Sequence, residues 1–163
     1  MIKIGVISDT HIPDRIKVVP EKILEAFKHV DMVIHAGDLV DLSVLEDLKS
    51  VCKNVHAVYG NMDPYNVKKV LPENKIIHVD KYKIGLMHGL GNPLHLVETT
   101  RQFFKNDKVD IIIFGHSHKP FCESIDNILF FNPGSATDTI FAAFNSYGII
   151  EINDKINAKI VKL

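Results

Sequence analysis

Five short apolar runs in this chain each stop at a side chain that binds metal ions well. IKIGVI leads to Asp9 and His11, MVIHAG to Asp38, VHAVYG to Asn61, KIGLM to His88, and DIIIFG to His116 and His118. Runs of this length bounded by glycine or polar residues read as buried strands. In open α/β sheets, ligands collect at the carboxyl ends of strands. The repeated coincidence predicts one converged site, readable as a pair of metal ions.

The segments between these runs alternate in type. Pro20 stands at the first turn of an expected helix whose buried stripe is Ile23, Leu24, Phe27 and Val30. Ser43-Val44-Leu45-Glu46 has the form of a capping box, followed by Leu48 and Cys52 at helical spacing. A βαβαβ opening implies a mainly parallel sheet with right-handed crossovers. The second half is richer in strands. Lys75 to Val79 and Tyr82 to Met87 flank an Asp80-Lys81 turn, and Asn92-Pro93 opens a helix reaching about Lys105. Further strands are expected at Asp110 to Phe114, Phe121 to Ile125, Ile128 to Phe131, Phe141 to Phe144, Gly148 to Ile152 and Ile156 to Val161. Asn132-Pro133-Gly134-Ser135 is a turn. The expected α/β architecture is two packed sheets with helices outside, in one domain spanning 1–163.

Composition narrows the partners. A formal net charge of -1 on 163 residues leaves no global basic field for nucleic acid. No apolar run approaches the ~20 residues that cross a bilayer, and no charged leader precedes the first strand. The expectation is a cytoplasmic protein with no membrane and no specific nucleic-acid partner. Cys52 and Cys122 are expected to be reduced.

Asp9-x-His11 and His116-x-His118 each set two donors at i and i+2, positions that share a face in extended backbone. Asp38 is the candidate to bridge two cations, and Asn61 would bind through its amide oxygen. A donor set of oxygen and nitrogen without thiolate suits Mn, Ni, Fe, Co or Zn over Ca or Mg. Seven ligands exceed one tetrahedral ion but suit two divalent ions per chain. His29, His35, His56 and His78 are expected to be structural. Asn61, His88 and His95 are candidate substrate contacts, and the Asn92 helix start could offer free N–H groups. Arg15 and Arg101, the only arginines, are expected to be solvated or salt-bridged.

Asp9-x-His11, Gly37-Asp38, Gly60-Asn61, His88 and Gly115-His116-x-His118, in this order, resemble the calcineurin-like metallophosphoesterase superfamily. The size and the Asn132-Pro133-Gly134-Ser135 turn look most like its small prokaryotic phosphodiesterase branch, in particular the small archaeal phosphodiesterases. The resemblance implies a four-layer αββα sandwich. It implies one metal on Asp9, His11, Asp38 and His118, and a second on Asp38, Asn61, His88 and His116. Asp63 matches the family and would support the ligands from behind. The family's usual histidine after Gly-Asn is replaced by Met62, which cannot donate a proton, so substrates with acidic leaving groups are expected.

The implied activity is hydrolysis of a small phosphate ester by a metal-bridging hydroxide, with no side-chain nucleophile. Manganese or nickel is the preferred metal. The alternatives on the same fold are a phosphomonoesterase, a nucleotide pyrophosphatase, or a non-catalytic retromer-like scaffold. A monomer and a homo-oligomer are both compatible with the sequence.

Overall fold

A computed structural model describes residues 1–163. The chain opens with β1 (Ile2–Ile7), α1 (Glu21–Phe27), β2 (Met32–His35), α2 (Ser43–Val51) and β3 (Val55–Ala57). A short helix, α3 (Tyr65–Lys68), leads to the hairpin β4 (Asn74–Val79) and β5 (Tyr82–Met87). A 3-10 turn (Pro93–His95) and α4 (Leu96–Phe103) precede β6 (Ile111–Ile113). The chain continues with the hairpin β7 (Phe121–Ile125) and β8 (Ile128–Asn132), then β9 (Ser146–Ile152) and β10 (Ile156–Lys162).

Two five-stranded mixed sheets result, in the orders β10-β9-β1-β2-β3 and β4-β5-β6-β8-β7. Strands β1, β2 and β3 are mutually parallel, as are β5, β6 and β8. The antiparallel hairpin partners and β9–β10 fill the remaining positions. The central strands of each sheet are buried on both faces, because period-2 alternation sends neighbouring residues to opposite layers. Ile111 and Ile113 face the space between the sheets with Ile4, Val6, Ile34, Ile84 and Phe131. Ile112, between them, points the other way and packs with Leu96 and Phe104 around α4. The outer face of the first sheet is covered by Ile23 and Phe27 of α1 and Val44, Leu45 and Leu48 of α2. The layers are therefore helix, sheet, sheet, helix, as the sequence pattern implied.

Several local expectations change. Ser43 is the first helical residue of α2 and does not cap it; Asp41 Oδ1 instead accepts the Ser43 N–H at 2.8 Å. Helix α1 stops at Phe27, so Val30 packs from the following loop. The 93–105 segment divides into the 3-10 turn and α4, and α3 was not anticipated. Residues 141–144 form no strand. The Asp138 carboxylate accepts the N–H groups of Ile140, Phe141 and Ala142, which wraps this segment into a loop. The 126–127 turn does close β7 onto β8, with both Asp126 and Asn127 at positive φ (51° and 65°). No helix is long and apolar enough to cross a membrane.

Candidate metal centre

The carboxyl ends of the six parallel strands meet at one rim of the sandwich, and the candidate ligands leave from there. Asp9 and His11 follow β1, Asp38 follows β2, Asn61 follows β3, His88 follows β5, and His116 and His118 follow β6. Asp9 Oδ1 lies 3.3 Å from His118 Nε2, 3.7 Å from His88 Nε2 and 3.8 Å from His11 Nε2. Asp38 Oδ2 lies 3.1 Å from His88 Nε2 and 3.7 Å from His11 Nε2. Two trios with metal-binding spacing emerge, Asp9–His11–His118 and Asp9–Asp38–His88, with Asp9 common to both.

His116 stands at the rim, outside both trios, with Asn61 Oδ1 3.0 Å from its Nδ1. His116 Nε2 lies 3.0 Å from the Gly91 carbonyl. The structure does not bring His95 to the cluster. It is exposed and lies 3.8 Å from Glu98 on its own turn. The Leu94 N–H near the Asn92 helix start is already taken by the Asn92 side chain at 2.9 Å.

Four of the central ligands, Asp9, Asp38, His88 and His118, are tethered at one atom. Asp9 Oδ2 accepts from Ser8 Oγ (2.6 Å) and from the His116 N–H (3.1 Å). Asp38 Oδ1 accepts the Met62 N–H at 2.8 Å. His88 Nδ1 donates to the Ala36 carbonyl at 2.7 Å, and His118 Nδ1 donates to Asp138 Oδ2 at 2.5 Å. Those acceptors take Nδ1 of each ring and leave Nε2 facing the carboxylates. Asp9 Oδ1, His11 Nε2 and His88 Nε2 are buried with no hydrogen-bond partner. A buried polar atom left unpaired costs about 1–3 kcal/mol, so three in one place fit a bound cation. The oxygen and nitrogen donors suit a divalent ion.

The backbone is bent to make this convergence. Asp9, His11, Asp38, His116 and His118 have φ of 54°, 43°, 57°, 69° and 58°. The donors thus reach a common point through left-handed turns and not along an extended i, i+2 face. Such φ values cost about 1–3 kcal/mol each for residues other than glycine. Gly60 and Gly115 allow the close approach. A Cβ on Gly60 would collide with the Asp38 carboxylate and the His88 ring, and one on Gly115 with Ser8 and Asp9.

Supporting groups lock the loops. Asp63 Oδ2 accepts the Gly60 and Asp38 N–H groups at 2.7 and 2.9 Å, and its Oδ1 accepts that of Val40 at 2.6 Å. The 132–135 turn clamps two ligand loops together. Asn132 Nδ2 donates to the Gly115 carbonyl, and Ser135 Oγ to that of Asp9, both at 2.8 Å. His35 is structural, as expected: Nδ1 accepts the Gly37 N–H at 3.1 Å, and Nε2 faces Thr10 Oγ1. Burial pushes its imidazole down to about 3, so it stays neutral. His56, by contrast, has no partner at its buried Nδ1. Cys52 and Cys122 are both free thiols.

Charge is concentrated at the cluster. Burial raises the Asp9 carboxyl, but the charge of His88 and the contacts from His11 and His118 override it and hold it well below the usual carboxylate range. Burial lowers His88, yet Asp9 and Asp38 push it up to about 9. His118 is likewise pushed up to about 9 against burial, by Asp9 and Asp138. Asp138, against burial, is drawn down to about 2 by His118 and the backbone donors. Sequence reasoning missed Asp138 altogether, because its neighbours read as the start of a strand. A pocket of about 440 Å³ opens above the cluster, with His11, Asn61, His116, Arg15, Met62 and Phe141 in its wall.

Known proteins resemble this chain over most of its length. A family model described as the calcineurin-like phosphoesterase superfamily domain matches residues 2–155. A probable metallophosphoesterase of Methanocaldococcus jannaschii is 39% identical, over 98% of this chain and 81% of its own length. A phosphodiesterase of the same organism is 31% identical, over 98% of this chain and 99% of its own. Among solved structures, wild-type Vps29 of Entamoeba histolytica complexed with Zn2+ superposes with a TM-score of 0.76 at 28% identity, covering 99% of both chains.

Proposed function

Because the chain belongs to the calcineurin-like phosphoesterase superfamily, we propose that it is a divalent-metal-dependent phosphodiesterase acting on a small phosphate ester. The observation that carries this reading is the set of three buried, unpartnered atoms, Asp9 Oδ1, His11 Nε2 and His88 Nε2. Asp9, His11, Asp38 and His118 would hold one ion, and Asp38, Asn61, His88 and His116 the other. When bound, such ions lower the pKa of water and neutralise charge on the phosphoryl oxygens. Manganese or nickel is the ion we favour.

The chain's own groups prepare the site. The Ala36 carbonyl and the Asp138 carboxylate hold His88 and His118 by Nδ1 and keep Nε2 available. Asp63 joins the Asp38 and Asn61 loops from behind. No serine, threonine or cysteine lines the pocket, and the reading is of direct attack by water, with no covalent intermediate. Met62, 58% exposed in the pocket wall, donates no proton to a departing oxygen. Esters whose leaving groups are already acidic are therefore the better substrates. A scaffold role like that considered for the fold is disfavoured, since every donor position is filled.

The test compares bis-p-nitrophenyl phosphate with p-nitrophenyl phosphate under added Mn2+ or Ni2+, before and after chelation. Faster turnover of the diester, abolished by chelation and by Asp38→Asn, supports the reading. Hydrolysis unchanged in Asp38→Asn would assign the signal to a contaminant and remove the proposal's support.

A further inference from the structure

The chain's two arginines have opposite surroundings. Arg101 is engaged: Nη1 lies 2.6 Å from Asp126 Oδ2, and its guanidinium sits 5.1 Å from the centre of the Phe130 ring. Arg15 is half-buried and forms neither an ion pair nor a side-chain hydrogen bond. It lines the pocket above the candidate centre with His11, Asn61, Met62 and Phe141, and imidazoles aside it is the only cationic side chain there. Of the two expected states, Arg101 is salt-bridged and Arg15 is solvated.

An oxygen leaving phosphorus gains negative charge, which needs a proton or a fixed cation. Met62 occupies the pocket wall where a proton donor would serve and supplies none. A guanidinium cannot release a proton at working pH. It can, however, place two parallel N–H groups on two oxygens of one anion. An alkoxide has a single oxygen and must be protonated. A phosphate has several oxygens and departs as a stable anion.

We infer that Arg15 forms a leaving-group subsite for phosphate, so that the preferred substrate is a diphosphate diester, R–O–P–O–P–O–R′, ahead of an alkyl phosphodiester. This rests on the hydrolase reading above and deepens it. Phe141, 69% exposed in the same wall and 6.4 Å from the His118 ring centre, offers an aromatic face to one organic arm. In the reaction, the oxygen of water bonds to one phosphorus. The bond from that phosphorus to the bridging oxygen breaks, and its electron pair leaves with the second phosphate. Two phosphate monoesters result, and the protons of water pass to solvent.

The experiment uses the metal-loaded protein with diadenosine diphosphate, adenylyl-adenosine and bis-p-nitrophenyl phosphate. Arg15→Ala should lower kcat/KM on the diphosphate by about 10²–10³-fold, a loss at least about tenfold greater than its loss on the aryl diester. Arg15→Lys keeps the charge but not the fork and should recover only part of the loss. A methylene-bridged diphosphonate analogue, titrated by calorimetry, should bind Arg15→Ala about tenfold more weakly. Equal losses on all three substrates, or no loss on the diphosphate, overturn the assignment. So does a wild-type protein that cleaves the aryl diester but not the diphosphate, an outcome that leaves the hydrolase reading standing. Turnover of none of the three removes both.

Discussion

His118 is gripped from both sides: Nδ1 lies 2.5 Å from Asp138 Oδ2, and Nε2 lies 3.3 Å from Asp9 Oδ1. Asp138 is itself held in place by the backbone N–H groups of Ile140, Phe141 and Ala142. A ring aimed by a fixed carboxylate meets a cation without having to reorient. Asp138→Asn keeps the shape and removes the charge, and should weaken Mn2+ affinity about 10–100-fold. Titration calorimetry of the chelated protein measures this. Affinity equal to wild type would show that the carboxylate does not matter to the ion.

The cluster also sets a pH dependence for the metal-free protein. His88 and His118 rise from 6.5 to about 9 on folding, so the folded chain holds protons that the unfolded chain has lost. Their contribution to stability is complete below about 6.5 and disappears as pH climbs towards 9. Thermal melting of chelated protein should therefore fall across that interval, and His88→Gln should flatten the fall. Metal binding displaces the same protons, so affinity for Mn2+ should rise over the same range. A melting temperature that is level over the interval would contradict the assignment.

Met62 offers a gain-of-function test. Replacing it with histidine restores a titratable group beside Asn61 in the pocket wall. General acid catalysis is worth about 10²–10⁴-fold on poor leaving groups and little on acidic ones. Met62→His should thus raise kcat on an alkyl phosphodiester far more than on bis-p-nitrophenyl phosphate. A uniform change across both substrates would mean that leaving-group protonation does not limit the wild-type reaction.

Phe131 reports on the space between the sheets. Its ring is fully buried, and a Cβ at Gly148 on the opposing sheet would strike it. Phe131→Ala should cost about 3–5 kcal/mol in denaturant unfolding. A loss below about 1 kcal/mol would mean that the two sheets close over the gap without strain.

The layers were legible because apolar alternation and strand-length runs are local signals, and Ile111, Ile112 and Ile113 declare two buried faces in three residues. The cluster was legible for a similar reason: Asp9-x-His11, Gly60-Asn61 and Gly115-His116-x-His118 are short strings at strand ends. Their backbone was not, since a left-handed φ at Asp9 or His118 reflects tertiary constraint more than residue preference. Asp138 escaped notice for want of a local signature. Its partner is 20 residues away, and the apolar Phe141 to Phe144 run imitates a strand. Ser43 and Glu46 fitted a capping pattern, yet Asp41 reached the free N–H first.

Strand β10 runs antiparallel to β9 and finishes at the ligand-bearing rim, where the Leu163 N–H meets the Asn145 carbonyl at 3.0 Å. Asn145 Nδ2 in turn holds the Asp138 carbonyl at 2.6 Å. Displacing Leu163 would pull on this chain of contacts and reach the imidazole of His118. The start of β1 lies at the opposite pole, so a disturbance there does not travel along these contacts to the imidazole.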